Sequence, residues 1–77
     1  MNKEIRKNVL IYLIKEDYKS MALYLKGFGI GKDANEEYFK RVFNIVKDRP
    51  YLNGDFNLIK RDFMQILNSF EGLKWQN

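Results

Sequence analysis

The run Phe56-Asn57-Leu58-Ile59-Lys60-Arg61-Asp62-Phe63-Met64-Gln65-Ile66-Leu67-Asn68-Ser69-Phe70 decides the fold. Within it Phe56, Ile59, Phe63, Ile66 and Phe70 recur at alternating spacings of three and four. That is the stripe one face of an α-helix offers to a core. Two heptads are too few for a free-standing coiled coil, so the stripe predicts the central helix of a bundle. The helix is expected over residues 55–71, capped by Asp55 and ended by Gly72, with Leu73 and Trp75 on a short tail, 72–77.

Upstream, Asn53-Gly54 is a turn signal whose flanks lack period-two alternation, which predicts a helix–helix connection rather than a hairpin. Before it, Tyr38, Phe39, Val42, Phe43 and Val46 form the apolar face of a helix over 34–48. Asp33 is expected to open that helix, with Glu36 completing an acidic capping box, and Pro50 to end it. Asp17 caps an expected second helix over 17–26, built on Tyr18, Met21, Ala22 and Leu25 and stopped by Gly27 and Gly29, with Phe28 or Ile30 plugging the core. The first helix, 3–15, carries Ile5, Val9 and Leu13, with Leu10, Ile11, Tyr12 and Ile14 widening its stripe. The expected fold is all-α: one domain over 1–77, a compact bundle of four or five short helices with a helix-turn-helix-like pair.

Composition removes several function classes. The chain has neither Cys nor His. It therefore lacks disulfides, thiolate metal sites and the commonest general base. Its longest early apolar run, Val9 to Ile14, is six residues, too short for a signal sequence or a membrane span. A cytoplasmic location is expected, with no enzyme activity, cofactor, metal or small-molecule substrate.

The net charge of +4 is unevenly placed. Residues 1–32 hold seven Lys and Arg against three acids, and residues 33–77 hold seven against seven. Such a basic half suits phosphates or an acidic protein surface. Lys3, Arg6 and Lys7 share one face of the first helix, and Lys15, Lys19, Lys26 and Lys32 carry the charge onward.

Motifs with familiar chemistry fail on spacing. Gly27-Phe28-Gly29-Ile30-Gly31-Lys32 lacks the earlier glycine and the Ser or Thr of a phosphate loop, which has Lys26 and Asp33 at those places. Glu16/Asp17 and Glu36/Glu37 are neighbours that do not face each other on a helix, and they sit where acids stabilise the helix dipole. Asp33 and Asn35 alternate as in a calcium loop, but the later ligands are missing.

Met21, Ala22, Leu25, Gly29 and Ile30, followed by Val42, Ile45, Val46, Pro50 and Tyr51, resemble the DNA-binding region of large serine recombinases. The match spans residues 20–51. The family's Asn is Lys26 here, its loop glycine pair is absent, its Pro is displaced by one, and no serine-nucleophile domain is present. The resemblance implies nucleic-acid binding without recombination, through a helix-turn-helix-like unit. Lys15, Lys19, Lys26, Lys32, Lys40, Arg41 and Lys47 would then meet phosphates. Against it, the expected recognition helix opens with Glu36 and Glu37.

The segments Tyr24–Ile30, Phe39–Val42 and Ser69–Gly72 are also similar to the small helical anti-sigma factors of T-even-type phages, although those are acidic. That similarity implies a protein-interaction factor, an inhibitor or modulator of a host enzyme, with Tyr24, Phe28 and Trp75 as anchors. A homodimer is compatible with either reading, and a membrane partner with neither.

Overall fold

Each helix begins where a short polar side chain can reach the free amides of the first turn. In the computed structural model the chain is described over residues 2–75, with side chains through Ser69. The helices are α1 (Lys3–Ile14), α2 (Tyr18–Gly27), α3 (Glu36–Lys47) and α4 (Phe56–Trp75), with a 3-10 turn at Pro50–Leu52. No strand occurs among the described residues. Asn2 accepts from the Ile5 amide at 2.8 Å, Asp17 from the Ser20 amide at 3.1 Å and Asp55 from the Asn57 amide at 2.9 Å.

The cap of α3 corrects the expectation. Asn35, not Asp33, accepts from the Tyr38 amide, at 3.1 Å, and the helix starts at Glu36. Asp33 lies too far upstream because residues 31–34 form a turn of their own, closed by the Ala34 amide on the Gly31 carbonyl. With the helix starting there, Glu36 and Glu37 both fall in its first turn and favour its dipole.

Two helices end in the same way. After α2 the Ile30 amide bonds the Leu25 carbonyl and the Gly29 amide bonds that of Lys26, with Gly29 at φ 75°. This is a Schellman closure, and its hydrophobic contact pairs Leu25 with Ile30, both fully buried. Ile30 therefore fills the core, while Phe28 stays 48% exposed. After α1 the Asp17 amide bonds Tyr12 and the Glu16 amide bonds Leu13, with Glu16 itself at φ 54°. The same Asp17 then caps α2, so one short turn closes one helix and opens the next. The tight helix pair is thus α1–α2, whereas residues 28–35 separate α2 from α3.

One core joins all four helices. α2 packs on α1 and on α3, and α3 packs on α4. Val9, Leu13, Met21, Leu25, Phe39, Val46, Phe63 and Leu67 are fully buried, with Ile30 and Leu52 contributed by the connections. Phe43 meets Tyr18 on one side and Phe63 on the other, at ring separations of 6.1 and 6.3 Å.

The α4 seam differs in detail from its sequence reading. Ile59 and Phe63 are buried, but Leu67 and Met64 join them, Ile66 is only half-buried and Phe56 is 40% exposed. Phe56 occupies the first helical position, past the edge of the core. The helix also runs through Gly72 to Trp75, because a glycine closes a helix only when it adopts a closing turn of the kind seen at Gly29. The side chains of Phe70, Leu73 and Trp75 lie outside the described residues.

Candidate docking surface

The lysines expected to meet phosphate do not converge. Lys15 lies at the end of α1, Lys26 in the last turn of α2 and Lys32 in the loop, all exposed. Lys19 and Lys40 share an open groove between the starts of α2 and α3, but Glu16, Asp17, Glu36 and Glu37 line it too. Lys40 and Arg41 share a depression on the outer face of α3 with Glu37, Asn44, Ile45 and Asp48. Lys47 stands beside the Phe43 ring, 6.0 Å from its centroid. Acids therefore interleave with the cations in both depressions.

Tyr24 and Phe28 do lie together, edge to face at 5.1 Å, and Tyr12 meets Tyr24 at 5.8 Å with the two rings tilted. The Tyr24 hydroxyl accepts from the Asn8 side-chain amide at 2.9 Å, which ties this ring into the α1–α2 contact. The third expected anchor, Trp75, has no described side chain.

A different surface combines apolar area with positive charge. On α1, Ile5, Val9 and Leu13 turn inward, Leu10 lies half-buried at the edge of the core, and Ile11 and Ile14 turn out. Leu10, Ile11 and Ile14 form the floor of an open groove of about 400 Å³, and Lys3, Arg6 and Lys7 form its rim. Ile11 is 39% and Ile14 61% exposed. No acid among the described residues lines this groove.

Arg6 and Leu10 also border a second, smaller cleft of about 210 Å³, where α1 meets α4. From α4 come Asn57, Lys60, Arg61 and Met64. Lys60 lies over the Phe56 ring, its ammonium 5.4 Å from the centroid. Arg61 is held from behind: its Nε and Nη2 donate to Asp62 Oδ1 at 3.4 and 3.3 Å. The other Asp62 oxygen accepts from the Tyr51 hydroxyl at 2.5 Å and from Arg49 Nη1 at 3.2 Å.

Asp62 is the buried charge of the molecule among the described residues, 4% exposed. The Tyr51 hydrogen bond, and after it those of Arg49 and Arg61, hold its carboxyl below the ordinary Asp range against the cost of burial. An ionised Asp62 thus pins the 3-10 turn to α4 and orients Arg61.

Sequence reading found Lys3, Arg6 and Lys7 as one face but missed Lys60 and Arg61, because the stripe of α4 does not reveal which helix lies beside it. No family model, curated protein or solved structure matches the chain.

Proposed function

We propose that the chain is a small non-enzymatic binding protein that docks an acidic amphipathic helix of a partner protein on the outer face of α1. The observation that carries this reading is the apolar floor Leu10, Ile11 and Ile14 inside the cationic rim Lys3, Arg6 and Lys7. A helix with leucines on one face and glutamates beside them matches both features, burying the floor while its acids meet the rim.

The test is fluorescence anisotropy with a labelled synthetic helix of about 20 residues, leucine-faced and glutamate-flanked, about 30 Å long. A lysine-flanked version serves as its opposite. The acidic peptide should bind, more weakly as salt rises, and the basic one should not. Ile14→Glu should reduce affinity at least about tenfold, the scale of removing one buried anchor. Equal binding of the two peptides, or no effect of Ile14→Glu, overturns the reading.

A second reading, nucleic-acid binding by the α2–α3 pair, is favoured by one observation. Lys40, Arg41 and Asn44 share the outer face of α3. Duplex binding through them would weaken steeply between about 50 and about 200 mM salt, and Lys40→Glu would weaken it on every sequence. No binding at the lower salt excludes it.

A further inference from the structure

We infer that the cleft between α1 and α4 is the anchor pocket for a single glutamate side chain of the docked helix. This rests on the docking reading above and deepens it. The cleft continues the α1 groove, since Arg6 and Leu10 belong to both. Its lining has two chemical parts. Leu10 and Met64 are apolar, whereas Arg6, Lys60, Arg61 and the Asn57 amide are hydrogen-bond donors, and no carboxylate of the described residues is among them.

That combination selects an anion on an apolar stem. The two methylenes of a glutamate can lie on Leu10 and Met64 while its carboxylate meets the cations. The donors are positioned before any ligand arrives: Arg61 by Asp62 and Lys60 by Phe56. Arg6 and Lys60 make no ion pair with another described residue, so a guest carboxylate competes with no described acid for them. The cleft opens sideways from the middle of the α1 groove, at Arg6 and Leu10, toward α4.

The experiment is a double-mutant cycle using the acidic peptide. Each glutamate of the peptide is changed in turn to glutamine, and affinity is measured for the wild-type protein, Lys60→Gln and Arg6→Gln. One glutamate should stand out, its loss costing at least about tenfold, the scale of a charged hydrogen bond. The others should cost about twofold or less, as exposed ion pairs do. In Lys60→Gln and in Arg6→Gln the special glutamate should lose its advantage. Unfolding midpoints of both variants establish that the fold is intact.

Equal costs for all glutamates, or a cycle without coupling while Ile14→Glu still weakens the peptide, overturn the anchor and leave the docking reading standing. Loss of sensitivity to Ile14→Glu as well overturns both. If Lys60→Gln weakens duplex DNA and not the peptide, the cleft takes phosphate and the glutamate assignment is wrong.

Discussion

At the scale of single residues, the two Schellman closures differ in one atom that matters. Gly29 takes the left-handed conformation without a Cβ, whereas Glu16 takes it at φ 54° with one. A non-glycine residue there costs about 1–2 kcal/mol, part of which glycine returns through its freer unfolded chain. Glu16→Gly should therefore stabilise the protein by about 1 kcal/mol, read as a higher urea midpoint. The caps give a paired comparison. Asn35→Ala should cost about 1 kcal/mol through the lost hydrogen bond to the Tyr38 amide. Asp33→Ala, an exposed position outside that cap, should change stability by about 0.5 kcal/mol or less. Asp62 adds a pH dependence. Its carboxyl titrates lower in the folded chain than in the unfolded one. Its contribution is complete above the ordinary Asp value of about 3.9 and is lost as pH falls through the lower, folded value. Thermal melts of the wild type and Asp62→Asn should differ most near neutrality and draw together as the pH falls through the lowered, folded-state value.

At the scale of elements, α4 shows how a correct stripe can give incomplete contacts. Ile59 and Phe63 lie where the three-and-four spacing puts them, and both are buried. The helix is covered over more of its circumference than that stripe, so Asp62, Met64 and Leu67 are buried as well. Asp62 tolerates its position because three donors from two segments surround it. Phe63→Ala should cost about 3–5 kcal/mol, since the ring is fully enclosed. Phe56→Ala should cost well under that, because the first position of the helix is partly in water. Chemical denaturation of the two variants checks whether the core, rather than the sequence stripe, sets the energy.

For the whole molecule, the neighbours Leu13 and Ile14 on α1 separate the core from the docking surface. Leu13→Ala should destabilise by about 2–5 kcal/mol. Ile14→Glu should move stability by about 0.5 kcal/mol or less, as the side chain stands mostly in solvent. Circular dichroism melts of both would establish that the Ile14 variant used in binding is folded. The sequence by itself determined the all-α class, the four helices, the Asp17 and Asp55 caps and the turn at Asn53-Gly54. Each depends on a few neighbouring residues, whose periodicity and backbone chemistry act locally. Only the tertiary structure decided that Arg6 of α1 meets Lys60 and Arg61 of α4, that Asp62 is buried between Arg49, Tyr51 and Arg61, and that Ile11 and Ile14 are left uncovered. Those facts depend on how far each helix is rotated about its axis and which helix packs beside it. A stripe of apolar residues fixes the rotation only to within a broad face and says nothing of the neighbour.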